Sequence, residues 1–329
     1  MNNLCLAIDN ILSKVDFNSI WQVFFKFDFA LYNQDNVYFK DRTIPWDKRF
    51  LGNTAIDFDG KIIAIWSVNS PETEDHEFLA ADIVHEMFHA YQILKGETRF
   101  PNDLELLDYP DNLDNFRCKM VENELLAKAF SENSILALKQ FICIRKVRGY
   151  LINDFILQEY RTETLEGMAE YAGLAALEQV NKEKFSTRIT EHLSLLTNPK
   201  DLIFSPRRLA YYTGAILCFA LKSLNVDFYH ELSEKRSLFE IINKTNDIVI
   251  GFDKFIENKH AKFDDFLKYH SEKHNSDSYI CGYDPMNMIR LENKILCEHF
   301  VMLGDEFIQG PVMVILREGT INQAESYIR

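Results

Sequence analysis

An α+β fold, predominantly helical, is predicted by three features of the 329-residue sequence. Before residue 70 the apolar residues alternate and flank a tight-turn dipeptide. From 76 to 224 they follow helical spacing with proline punctuation, and after 285 they fall in short runs between glycines. The same shifts divide the chain into an N-terminal α+β lobe (1–96), a helical lobe (97–225) and a C-terminal mixed α/β region (226–329).

Leu4, Ile8, Ile11, Leu12 and Val15 recur as on one face of a helix. Trp21, Val23, Phe25, Phe27, Phe29 and Leu31 then alternate strictly, the pattern of a half-buried strand. Residues 54–58 and 61–67 flank Asp59-Gly60 and predict a hairpin, part of an antiparallel sheet packed on the next helix. That helix spans 76–95. Nothing in it breaks helical structure, Thr73 or Asp75 can cap its start after Pro71, and Gly96 stands where a left-handed C-terminal cap belongs. Residues 112–224 are expected to be mainly helical, with Pro101, Pro110 and Pro206 as breaks and 121–130 buried. Beyond 225, a charged helix followed by loop is expected over 253–275. Strands at 286–291, 294–303 and 312–316 follow, with turns at Gly304 and Gly310-Pro311. They make a small antiparallel meander that either caps the molecule separately or completes the N-terminal sheet.

Within the 76–95 helix lies His85-Glu86-Met87-Phe88-His89. At 3.6 residues per turn, His85 and His89 share a face and can bind one metal, while Glu86 points about 100° away and is free for acid/base work. Zinc takes neutral imidazole nitrogens and, when catalytic, keeps a position for water whose pKa it lowers, so the pattern predicts hydrolysis. A third protein ligand is required. The segment Glu163-Thr164-Leu165-Glu166-Gly167-Met168-Ala169-Glu170-Tyr171 also reads as helix, with Glu166 and Glu170 on one face. Gly167 and Ala169 remove bulk where this helix would approach the histidine helix. Alone, these glutamates read as a solvated acidic stripe. Beside a histidine pair, one carboxylate becomes a ligand and the other the group that orients a ligating imidazole.

The combination of His85-Glu86-x-x-His89 with Glu166-Gly167-Met168-Ala169-Glu170-Tyr171 resembles the gluzincin metallopeptidases, the clan of thermolysin-like peptidases and large zinc aminopeptidases. The resemblance implies a zincin-like catalytic domain with Zn2+ held by His85, His89 and Glu166, Glu86 as general base and Glu170 supporting a ligand histidine. A second stretch, Ala210-Tyr211-Tyr212-Thr213-Gly214-Ala215, is similar to the aminopeptidase segment in which a tyrosine three residues before a glycine stabilises the oxyanion. That implies Tyr211 as oxyanion donor, with Arg208 one turn earlier assisting. The sequence also departs from the family. Residues 90–165 separate the second histidine from the glutamate, the Gly-x-Met-Glu-Asn exopeptidase motif is missing, and residues 59–66 hold no acidic anchor for a free amino terminus. Endopeptidase action is therefore expected over exopeptidase action. The alternatives are a catalytically inactive interaction protein that keeps the fold, and a zinc hydrolase of a non-peptide substrate.

Composition agrees with a soluble enzyme. Hydrophobic residues make up 47% of the chain, enough for a sizeable core. A net charge of −14 repels phosphate backbones and acidic membranes, which disfavours nucleic-acid and membrane partners and makes neutral or basic substrates easier to accept; the resemblance implies a peptide or protein substrate. The first residues lack a basic, apolar leader and no apolar run reaches membrane-spanning length, so a cytoplasmic location is expected. Six cysteines without a Cys-x-x-Cys pair indicate neither a zinc knuckle nor a disulfide framework. Cys297-Glu298-His299 and the His270/His274 pair are read as non-catalytic, the first because adjacent strand residues face opposite ways, the second because its context is polar and solvated.

Overall fold

The computed structural model describes residues 1–230, 232–243 and 257–329. The fold is α+β. Its N-terminal part comprises α1 (Asn2–Leu12), α2 (Phe17–Ile20) and five strands: β1 (Phe29–Tyr32), β2 (Asn36–Tyr38), β3 (Thr43–Pro45), β4 (Thr54–Phe58) and β5 (Lys61–Ser67). The strand order is β3-β2-β1-β5-β4. The expected hairpin is present as β4–β5, with Asp59 and Gly60 both at positive φ. The sheet is mixed, however, and not antiparallel throughout. The chain makes β2, β3 and β4 before returning, so β5 lies parallel beside β1, with Leu31 opposite Trp66. The long alternating strand expected over 21–31 also shrinks to Phe29–Tyr32. Val23 adopts φ +65° and resets the inward parity, so Trp21, Phe24 and Phe27 are buried while Val23 and Phe25 are 58% and 48% exposed.

The next helix, α3 (His76–Leu94), is capped as the sequence predicts. Asp75 accepts from the backbone N–H groups of Glu77 and Phe78. Past the other end Gly96 takes φ +76°, and the Glu97 N–H donates to the Gln92 carbonyl at 3.0 Å. Trp21 and Phe24 pack edge-on against Phe88, fixing α3 from the N-terminal side.

The helical lobe contains α4 (Asp103–Leu107), α5 (Leu113–Ser131), α6 (Ile135–Ile152), α7 (Phe155–Thr162), α8 (Met168–Val180), α9 (Lys182–Thr197) and α10 (Pro206–Ser223). A π-helical turn, Glu163–Gly167, joins α7 to α8, and a 3-10 turn, Lys200–Phe204, precedes α10. The close approach of α8 to α3 is made at Gly173. A Cβ there would lie 2.6 Å from the Ala81 carbonyl oxygen and 3.5 Å from His85 Cβ. Gly167, expected to face α3, instead meets α10, where a Cβ would lie 2.4 Å from Gly214 Cα. One hydrophobic core runs without interruption from Leu4 to Ile242, so the N-terminal and helical lobes share it.

After α11 (Leu238–Ile242) and α12 (Glu257–Tyr269), the chain forms β6 (Lys273–Asn275), β7 (Ile280–Tyr283), β8 (Met288–Leu291), β9 (Lys294–Cys297), β10 (Phe300–Leu303), β11 (Glu306–Gln309), β12 (Val312–Leu316) and β13 (Ala324–Ile328). The run 294–303, read as one strand, is split at Glu298-His299 into β9 and β10, which belong to different sheets. Those sheets are antiparallel, of orders β11-β10-β7 and β6-β13-β12-β9-β8. They enclose their own core around Ile295, Val301, Val312 and Val314, separate from the N-terminal sheet. Leu107 packs against this core, and Arg290 pairs with Asp108 at 3.0 Å, seating the lobe on α4. Among the described residues, no helix is long and apolar enough to cross a membrane, and all six cysteines are free, with only Cys281 exposed.

Candidate metal centre

Histidines 85 and 89 project from α3 toward the π turn and the start of α8. His85 Nε2 and His89 Nε2 are 3.1 Å apart. Glu166 Oε2 lies 3.0 Å from His89 Nε2 and 3.6 Å from His85 Nε2. Three donor atoms at the corners of a tetrahedron about a zinc-sized ion are separated by about 3.3 Å. The three side chains therefore already stand close to that geometry, although 76 residues lie between the second histidine and the glutamate.

The outer ring nitrogens determine which atoms face inward. His85 Nδ1 is 3.0 Å from Glu170 Oε2, an acceptor-only carboxylate. His89 Nδ1 is 2.7 Å from Gln92 Oε1, and the Gln92 amide is oriented because its Nε2 donates to the Leu165 carbonyl at 2.9 Å. Both Nδ1 atoms thus carry the proton in the neutral rings, and both Nε2 atoms present lone pairs. Two lone pairs and a carboxylate oxygen converging on one point repel each other unless a cation or protons sit between them. Burial opposes charge on His85, but hydrogen bonds to the Glu166 and Glu170 carboxylates outweigh it and hold its pKa well above the usual imidazole value. His89 is likewise raised, burial being overcome by the Glu166 charge and hydrogen bond. Burial would raise Glu166 and Glu170, yet the imidazoles beside them hold both carboxyls well below the ordinary range. The site demands positive charge.

Glu86 is buried, and its Oε2 has no hydrogen-bond partner. Its carboxylate shares a sphere with the paired imidazoles, one donor atom of each residue lying within 4.8 Å of the others. Burial pushes its pKa up, against the pull of His85 and His89. An orphaned buried oxygen beside converging lone pairs fits a site built to hold both a metal and a water. Tyr211 stacks on His85 with ring centroids 5.8 Å apart, and its phenol pKa is pushed well above 10 by burial and then by the Glu166 charge.

Arg208, expected near the oxyanion position, is exposed and does not line this cleft. Its neighbour Arg207 does, donating to Glu166 Oε1 at 2.8 Å and pairing with Asp103 at 3.0 Å. Successive residues of a helix point about 100° apart, and α10 begins at Pro206 with Arg207 inward. The sequence reading also missed Gln92 and His192. His192 Nε2 meets Glu170 Oε1 at 2.8 Å, so Glu170 bridges two imidazoles. A polar Gln92 on an otherwise apolar helix, one turn beyond His89, was a usable signal. A lone histidine in α9 carried none.

The π turn is clamped from behind. Glu163 accepts from Arg145, and from Thr213 Oγ1 of α10 at 2.6 Å. It belongs to a fully buried cluster in which Glu122, Glu159 and Glu163 face Lys119, Arg145 and Arg148. The charges balance three against three, so these glutamates already have their cations and are not a second metal centre.

The candidate metal centre opens into a cleft of about 900 Å³, bordered by Asn53, Thr54 and Trp66 of the sheet side, by α9 and α10, and by residues 283–287 of the C-terminal lobe. Comparison with known proteins gives no match: no family model, no curated protein and no solved structure is similar to this chain.

Proposed function

We propose that the protein is a zinc-dependent peptidase of gluzincin type with a zincin-like catalytic domain, and that His85, His89 and Glu166 hold the metal. The observation that carries this is the triangle of two Nε2 lone pairs and one carboxylate oxygen, at 3.0 to 3.6 Å, beside the unpartnered Glu86. Two imidazoles and a carboxylate are the donor set of a catalytic zinc site that leaves a position open. Bound there, the ion would supply Lewis acidity, polarising a carbonyl and lowering the pKa of water.

The chain's own residues do the rest. Glu86 Oε2 takes a proton from the attacking water, for which its raised pKa suits it, and passes that proton to the departing nitrogen. The Tyr211 hydroxyl, kept protonated by burial, donates to the oxygen on which charge develops. Glu170 and Gln92 fix the tautomers and orientations of the two imidazoles. The sheet edge beside the cleft is β4, because β5 is sandwiched between β1 and β4. An extended peptide pairing with β4 would lie beside Asn53 and Thr54 at the rim of the cleft.

The test is elemental analysis coupled to a peptide-library digest. Wild-type protein should bind one zinc and cut peptides. His85→Ala and Glu166→Ala should lose the metal, and Glu86→Gln should keep it without turnover. Equal zinc content in all four proteins would end this reading.

A further inference from the structure

The cleft does not stop at the metal centre. Leu195, Tyr212, Met286 and Asn287 border it and also border a second hollow of about 320 Å³, between the 3-10 turn and the C-terminal sheet. The two spaces are thus neighbours that share part of one wall. The hollow is floored by apolar side chains, among them Leu202, Met288 and Ile289, and is large enough to admit a bulky side chain.

Its rim has the opposite character. Lys200, Arg208 and Lys262 line it together with Asp201 and Glu298. None of the three cations is in an ion pair among the described residues. The cations beside the metal centre differ: Arg188 is held by Asp82 at 2.6 Å and Arg207 by Glu166 at 2.8 Å. In a chain with 50 acidic and 36 basic residues, three cations against two acids around one apolar hollow reverse the sign of the prevailing charge. The inner cleft, lined by Asp82, Glu86, Glu166, Glu170 and Glu191, repels a carboxylate, and the hollow at its far end attracts one.

Building on the peptidase reading, we propose that this hollow is the subsite that selects substrate, and that it takes a large apolar side chain adjacent to a carboxylate. The apolar floor desolvates the side chain while the rim cations face the anion. The carboxylate has two sources, an aspartate or glutamate next to the apolar residue or the carboxyl terminus of the peptide.

Fluorescence anisotropy of labelled peptides on the full-length Glu86→Gln protein, with and without added zinc, tests this without turnover. Four peptides share an Ala-Ala-Phe stem. Three end in glutamate, glutamine or lysine as C-terminal amides, and the fourth ends in glutamine with a free carboxyl. The glutamate amide or the free-acid peptide should bind about tenfold more tightly than the glutamine amide, and which of them does so identifies the source of the carboxylate. Adding Arg208→Glu and Lys262→Glu, both outside the packed core, should reverse the order in favour of lysine. Equal binding of all four peptides, or an order that survives the double reversal, overturns the proposal. A protein that binds no zinc and cuts nothing but keeps the acid preference removes the peptidase reading alone. An active zinc protein without that preference removes the subsite alone.

Discussion

Replacing Gly173 by alanine should damage the proposed metal centre without touching any of its side chains. The new Cβ would sit 2.6 Å from the Ala81 carbonyl oxygen. That is short of ordinary contact by about 0.8 Å, and the obstacle is backbone, which cannot swing aside. Alanine in a helix interior normally gains about 0.5–1 kcal/mol over glycine. Overpacking against a fixed backbone costs about 1–3 kcal/mol, so the clash wins and a net loss of about 1 kcal/mol is expected. Separation of α8 from α3 also stretches the 3.0 Å contact between His85 Nδ1 and Glu170, three residues before Gly173. Loss of such a supporting bond lowers metal affinity about 10- to 100-fold. Urea unfolding of the metal-free protein reads the first effect, and competition against a chromophoric chelator reads the second. Gly149→Ala is the control, since its Cβ would meet only Ile156 Cγ2 at 3.8 Å, and it should stabilise slightly. If Gly173→Ala behaves like Gly149→Ala in both assays, the close packing of α8 on α3 does not hold the site together.

Gln92→Leu removes the acceptor for His89 Nδ1 and frees the ring to change tautomer, so zinc affinity should fall by about 10- to 100-fold while Gln92→Glu keeps most of it; the same chelator competition decides. Tyr211→Phe deletes only the hydroxyl and should lower kcat by about 10²-fold with full zinc content; an unchanged rate makes the tyrosine a packing residue. Acid unfolding should report the buried cluster. Burial opposes the Glu159 charge, but Arg148 and Lys119 outweigh it and hold its carboxyl at about 2, against 4.5 in the unfolded chain. A depressed carboxylate stabilises the fold above its unfolded value and loses that contribution as pH falls through its folded value. The stability gap between wild type and Glu159→Gln should therefore be constant above about pH 5 and shrink by on the order of 3 kcal/mol toward pH 2. A gap that does not change with pH refutes the pairing.

What the sequence disclosed follows from the range of the forces involved. Helix caps, the Asp59-Gly60 turn and the His85/His89 face are set by neighbours within a few residues, and each is found where the pattern placed it. The approach of Glu166 and Glu170 to those histidines is long-range, and it was readable only because their four-residue spacing matched a motif. Parallel pairing of β1 with β5 left no local mark, and neither did the parity break at Val23, where φ +65° falls on a β-branched residue that disfavours it. Arg207 and Arg208 differ only by rotation about the helix axis, and packing against Asp103 and Glu166 chose between them. The paired charges behind Glu163 come from three separate helices and the π turn, so no window of sequence displays them together.

The turn from Glu163 to Gly167 is wound one residue wider per hydrogen-bonded loop than its flanks. That surplus residue sets the angular phase between Glu163, locked to Arg145, and Glu170, aimed at His85. Deleting Leu165 from within it would regularise the helix and rotate everything downstream by about 100°. Glu170 and Gly173 would then swing off the histidine helix together, a frameshift in three dimensions that leaves every residue type of the candidate site present but its carboxylates turned away from the two imidazoles.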